Sequence, residues 1–208
     1  MPVDYLVSAL VTLLVVVDPI GLAPTFLAVT HGLPSQTRKK IAWRASLIAG
    51  AILFGTALVG DWLLRQLGIG VPAFRIAGGL LLFMVAAEMV LGVRNNRQTK
   101  QAEEALEEHV RNIAAFPLAI PLMAGPGAIT ATLLLASQAG REPMHLGVLF
   151  GVIVVVMAAC MVAFFLANRI ERLLGVTGNA VLSRLLGVIL AALAVQYVID
   201  GVRSTLAG

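Results

Sequence analysis

Charged residues make up only 12% of this 208-residue chain and aromatic residues only 6%. An ordinary soluble domain is about a quarter charged, so this chain lacks the polar surface to clothe a water-exposed fold. A single cysteine, Cys160 in "VVVMAACMVAFF", excludes an intrachain disulfide and a multi-cysteine metal site. The three histidines, His31, His109 and His145, fall in different loops. There is no H-E-x-x-H, no G-x-S-x-G and no pair of intramembrane aspartates, which argues against a metalloprotease, a serine hydrolase and an intramembrane aspartyl protease. No G-x-x-x-x-G-K-[ST] is present to bind a nucleotide. The chain is therefore not expected to be an enzyme, and no cofactor or metal is implied.

What the chain has is apolar length. Hydrophobic residues reach 59%, the mean hydropathy is +0.94, and apolar stretches recur at 5–30, 41–64, 72–93, 113–139, 145–168 and 178–202. Each meets the roughly 20 residues needed to cross a hydrocarbon core about 30 Å thick. The expected fold is an all-α integral membrane protein of six transmembrane helices. The opening "MPVDYLVSALVTLLVVV" has no basic leader before its apolar run, so it reads as a retained span. The formal charge is +4, but the placement of the basic residues points to topology rather than to nucleic acid. Eleven of the fifteen Lys and Arg lie in 31–44, 94–111 and 168–184, and the other four, Arg65, Arg75, Arg141 and Arg203, lie opposite. Basic loops belong in the cytoplasm, so both termini should face outside, in the cell (inner) membrane of a multi-pass protein.

The two halves resemble each other. "LLRQLG" at 63–68 matches "IERLLG" at 170–175, and after a two-residue shift Arg75, Gly78 and Gly92 fall on Arg184, Gly187 and Gly201. Asp18-Pro19-Ile20-Gly21 falls on Gly125-Pro126-Gly127-Ala128. Three crossings per unit make the second repeat inverted, giving a first repeat at 1–93, a cytoplasmic connector at 94–111 and a second repeat at 112–208. In the connector, Glu103, Glu104, Glu107 and Glu108 have helical spacing, as expected of a short exposed helix.

The first and fourth spans should be discontinuous. Proline inside a helix costs about 3 kcal/mol, and Asp18-Pro19 is a good Ncap–N1 pair, which places the start of a second half-helix at Pro19. In "FPLAIPLMAGPGAITATLLLAS", 116–137, Gly125 would be the cap and Pro126 the first helical residue. Broken backbone at membrane depth must turn toward protein or a wet cavity, so the two breaks should meet. Each half-helix then aims positive amide ends at the meeting place. Paired breaks in inverted halves are a pointer to a midplane substrate site in secondary transporters. A zwitterion suits the set: carboxylate on the amides, ammonium on Asp18 or on the carbonyls that end the first half-helix. The candidate substrate-binding residues are Asp18, Pro19, Ile20, Gly21, Thr25, Ala124, Gly125, Pro126, Gly127 and Thr130. Asp18 is also readable as a cap alone, and the prolines and glycines as packing kinks.

Among other polar residues, Glu88 is a candidate for proton coupling alongside Asp18, with interfacial snorkelling or a salt bridge as the plainer reading for it and for Asp200. Arg75 and Arg184 read as interfacial anchors, and Trp43 and Trp62 as belt residues. Thr132, like Thr25 and Thr130, sits where its hydroxyl can serve a ligand or simply its own helix backbone.

"DPIGLAPTFLAVT" at 18–30 with "FPLAIPLMAGPGAITATLLLAS" at 116–137 resembles the MarC family of six-span membrane proteins, over essentially the whole chain. The family's D/N-P-x-G motif maps to Asp18, Pro19 and Gly21, and its A-G-P-G motif to Ala124, Gly125, Pro126 and Gly127. Many members of that family carry asparagine at the first motif position, where this chain has Asp18. The resemblance implies a carrier of small neutral amino acids of the glycine and alanine class, with the lipid bilayer as its other partner. A passive channel or exporter and a non-transporting membrane partner are the competing expectations. Oligomeric state, direction and coupling ion are left open by the sequence.

Overall fold

A computed structural model of the chain describes residues 2–94, 97, 113–139 and 142–206. Among the described residues there is no strand. The elements are α1 (Pro2–Val17), α2 (Leu22–Val29), α3 (Ser35–Gln66), α4 (Val71–Leu91), α5 (Ala114–Met123), α6 (Pro126–Ala139), α7 (Pro143–Phe165) and α8 (Ala167–Leu206). Four stretches are long and apolar enough to cross a membrane unbroken: Ser35–Gly60, Val71–Leu91, Pro143–Phe165 and Thr177–Leu206. Two further spans are bent pairs, α1 with α2 at 42° and α5 with α6 at 56°. Counting each pair as one span gives six crossings, with the first and fourth discontinuous. The connector helix expected around Glu103 to Glu108 lies outside the described residues.

The prolines shape α5 more severely than a simple break. Pro117 and Pro121 remove two backbone donors, and the residue before a proline is driven out of the helical region. Phe116 (φ −132°, ψ 129°) and Ile120 (φ −126°, ψ 125°) are accordingly extended, so α5 is an irregular set of turns. α8 kinks at Gly175, whose φ is +60°, and α3 ends just before Gly68 at φ +67°. These two glycines close the aligned "LG" pairs of the sequence repeat, and both use the left-handed backbone that only glycine adopts freely.

The most extensive helix pair is α4 against the C-terminal part of α8, antiparallel. Without water to drive association, helices in a membrane gain from close approach at small residues. A Cβ on Gly79 would lie 2.7 Å from the Ala194 carbonyl oxygen, one on Gly187 would lie 2.8 Å from Met89 Cβ, and one on Gly201 would lie 2.9 Å from the Pro72 oxygen. The outward faces carry Leu80, Met84, Val154 and Val188, exposed as a lipid-facing surface requires. Trp43 and Trp62 are exposed at opposite ends of the apolar part of α3, about 28 Å apart at 1.5 Å per residue, close to the thickness of the hydrocarbon core. A cavity of about 430 Å³ between α3 and α7 is lined by Trp43, Leu47, Phe54, Met157 and other groups that are apolar apart from Ser46. It lies away from the breaks and holds no charged group.

The seam makes a direct prediction. Gly79→Ala should lower thermal stability in detergent by about 1–3 kcal/mol through overpacking against backbone. Gly55→Ala, at a position where a Cβ meets nothing within 4 Å, should be neutral or stabilising by up to about 1 kcal/mol. Equal effects at the two positions would remove the close-packing account.

Candidate functional site

The first break is built by Asp18. Its amide still donates to the Leu14 carbonyl (3.0 Å), closing the last turn of α1, but its φ is +54°. Asp is among the few residues that tolerate this left-handed conformation. The chain thus leaves α1, and the Leu22 amide bonds the Asp18 carbonyl (3.1 Å) to begin α2. The half-helix starts at Leu22, three residues later than the expected Pro19, because Asp18 ends one helix in left-handed geometry instead of capping the next in extended geometry. Its side chain serves the turn between them: the Gly21 amide donates to Oδ1 at 3.0 Å. Gly21 is required by proximity, since a Cβ there would collide with the Asp18 carboxylate. The Ser183 hydroxyl, from α8, donates to Oδ2 at 3.4 Å. Asp18 is 3% exposed, Pro19 is buried beside it, and Ile20 is half-buried.

The second break has the expected start. Pro126 opens α6 after Gly125, and the Ile129 amide bonds the Gly125 carbonyl at 3.0 Å. A Cβ on Gly125 would overlap the Pro121 carbonyl oxygen, so the return of the chain over α5 requires glycine. Ala124 and Gly125 are buried. The amides of Gly127 and Ala128 belong to the first turn of α6, where no intrahelical carbonyl is available.

The two breaks adjoin. A Cβ on Gly127 would lie 3.3 Å from Cγ1 of Val16, two residues before Asp18. At this junction is a cavity of about 210 Å³, lined by Val16, Val85, Pro121, Leu122 and Gly125 through Ala128, together with Arg94 and Arg97. Arg94 is only 6% exposed. Its Nη2 donates to the Val16 carbonyl (2.6 Å), one of the orphan acceptors at the broken end of α1. Its Nη1 is buried with no hydrogen-bond partner. Arg94 and Asp18 interact electrostatically across the break, each on the end of the helix dipole that favours its charge. At the mouth, Arg97 donates to Glu88 Oε1 at 2.8 Å, while Glu88 Oε2 is buried and unpartnered.

Of the residues marked from sequence, Gly125, Pro126 and Gly127 line the cavity, and Asp18 to Gly21 form the adjoining turn. Thr25 and Thr130 are buried in α2 and α6 and do not line it, and Thr132 bonds its own helix at the Ala128 carbonyl (2.8 Å). Glu88 stands at the rim through Arg97. Arg94 was counted as a loop charge, yet it folds into the core after Gly92 turns the chain with a φ of +74°. Its removal leaves ten loop cations against four, so the charge asymmetry keeps its sign. A glycine stop followed two residues later by an arginine was the available signal. Ser183 had none, being one hydroxyl in an apolar helix.

Four unbroken apolar helices of spanning length, with two bent helix pairs that meet around buried charge, define a polytopic α-helical membrane protein. The chain belongs to the MarC family of integral membrane proteins, whose family model matches residues 3–206. It is 38% identical to a UPF0056 membrane protein of Archaeoglobus fulgidus over 204 residues, covering 98% of this chain and 94% of that one. Over 209 residues it is 34% identical to a UPF0056 membrane protein of Methanocaldococcus jannaschii, covering 99% and 100%. The UPF0056 membrane protein YhcE of Escherichia coli is 34% identical over 202 residues, covering 94% and 91%. No solved structure matches significantly.

If Asp18 holds the turn as described, Asp18→Asn, which tolerates positive φ and keeps an Oδ1 acceptor, should keep the bend and lose only the charge that compensates Arg94, so it should be more stable than Asp18→Ala. Asp18→Ala loses both features and should cost at least about 1–2 kcal/mol, read as a lower melting temperature in detergent. Equal stability of the two variants would remove the turn-holding role.

Proposed function

We propose that this protein is a secondary transporter for small zwitterionic solutes of the neutral amino acid class, glycine and alanine foremost. The reading takes the two halves as inverted repeats that alternate access around the junction of the breaks. One observation carries it: a buried arginine with a free Nη1 and a buried carboxylate flank the broken first span, beside a small cavity whose far wall is the start of α6. Arg94 Nη1 and the Gly127 and Ala128 amides offer a carboxylate-binding end. Asp18 offers the counter-charge for an ammonium group, in place of the Val16 carbonyl, which Arg94 already occupies.

A buried ionisable group inside a span is a functional suspect by default. Asp18 is the proposed coupling residue; Glu88 is committed to Arg97 and is proposed to hold that cation at the mouth. The excess of basic residues on one end supports a cytoplasmic placement of that end, and hence a cavity mouth that faces the cytoplasm. The aligned positive-φ glycines Gly68 and Gly175 support the repeat on which alternation depends.

Purified protein in sealed vesicles should take up labelled glycine or alanine with saturation. Arg94→Gln should reduce that uptake at least tenfold, with partial recovery in Arg94→Lys, while folded protein is still recovered. Linear, non-saturating flux would instead support a passive channel, and absence of flux for either solute would sink the amino acid reading.

A further inference from the structure

A second polar-lined cavity, of about 320 Å³, lies at the other end of the same helices. Its polar lining comes from four elements: Ser8 of α1, Arg75 of α4, Gln138 of α6, and Gln196, Tyr197 and Asp200 of α8. Interfacial anchoring accounts for one polar side chain reaching outward at a helix end. It does not account for six converging on one hollow. Arg75 is not fully used by its neighbours: Nη1 contacts the Ser204 hydroxyl at 3.5 Å, and Nε is buried without a partner. The Asp200 carboxylate accepts from Gln196 Nε2 at 2.8 Å.

The two cavities are stacked along α1, α4 and α6. At 1.5 Å per residue, Ser8 is about 12 Å from Val16, and Arg75 and Gln138 are each about 15 Å from Val85 and Ala128 respectively. A thin layer separates them. In it the Thr12 and Tyr197 hydroxyls, both buried, meet at 3.4 Å. Leu134 of α6 seats on Gly78 of α4 so closely that a Cβ there would lie 2.8 Å from Cδ1. Ala131, one turn below Leu134, is fully buried.

We propose that this second cavity is the far-end port of one route through the protein. It receives the same zwitterionic solutes, with Arg75 toward the carboxylate and Asp200 toward the ammonium group. The Thr12–Tyr197 contact and Leu134 on Gly78 form the gate that separates it from the junction of the breaks. This rests on the transporter reading above; the port and gate are tested by cysteine labelling, and a separate flux measurement distinguishes their failure from that of the reading.

Single cysteines are introduced in a Cys160→Ala background and treated with a membrane-impermeant cationic methanethiosulfonate reagent on either side of sealed vesicles. Ser8→Cys and Gln138→Cys should react from the side away from the basic loops, while lipid-facing Leu80→Cys should not. Ala131→Cys should be protected from that side, and its rate should rise at least tenfold when Tyr197→Ala is added. Tyr197→Phe, which removes only the hydroxyl, should give a smaller rise and guards against misfolding of the larger truncation. Labelling of Ser8→Cys and Gln138→Cys no faster than Leu80→Cys overturns the port. Fast labelling of Ala131→Cys with Tyr197 intact overturns the gate. Saturable glycine or alanine flux without labelling at the port would leave the transporter reading standing and this proposal lost. Labelling as expected, with no flux, would support the port as a solvent-filled entry while removing the transported substrate.

Discussion

Everything unusual in this molecule follows from leaving backbone unpaired where no water can reach it from the lipid. An unsatisfied carbonyl or amide in hydrocarbon costs several kcal/mol, yet the first span ends a helix at Val17 and starts another at Leu22. The Arg94–Val16 hydrogen bond resolves the acceptor side of that problem, and the Asp18–Gly21 hydrogen bond resolves the donor side. Both solutions bring a charge into the core. Once there, the charges constrain each other: neither Arg94 nor Asp18 can be removed without leaving the other buried with less compensation.

The breaks were legible because proline and glycine announce themselves by covalent geometry. Gly125-Pro126 marked the start of α6 to the residue, since the fixed φ of proline suits a first helical position. Asp18-Pro19 carried the same signal and misled by three residues, because aspartate has a second conformational option that the dipeptide does not reveal. α5 is irregular for a related reason: two prolines four residues apart force two extended residues before them. Such effects are local and can be reasoned out once the left-handed and pre-proline options are both weighed.

Arg94 and Ser183 are different in kind. Their importance depends on where a chain goes after it leaves a span, which is set by tertiary packing. The charge tally treats every cation beyond an apolar stretch as solvated, and that is right for most of the described ones. It fails where a glycine at φ +74° redirects the chain inward. Ser183 reaches Asp18 only because α8 runs antiparallel to α4 in a register held by Gly79, Gly187 and Gly201. No periodicity within α8 distinguishes that hydroxyl from one that faces lipid.

The same seam bears on how such a molecule can change shape. α4 meets the C-terminal part of α8 backbone to backbone over most of its own length, so sliding or separating them sacrifices many close contacts at once. The bent spans are built otherwise. α2 is eight residues long, α5 has no continuous helical ladder, and both meet their partner half-helices at angles of 42° and 56°. The helical ladder is interrupted at both bends, although α2 itself stays seated in the core, with Phe26 stacked on Phe164 of α7 at 4.5 Å. On the transporter reading, the rigid element is therefore the α4–α8 pair, and bending is concentrated at the two breaks, where Asp18 and the Gly127 and Ala128 amides lie. Site and hinge then coincide at Asp18, so a ligand that engages its carboxylate competes directly with the Gly21 amide that holds the bend.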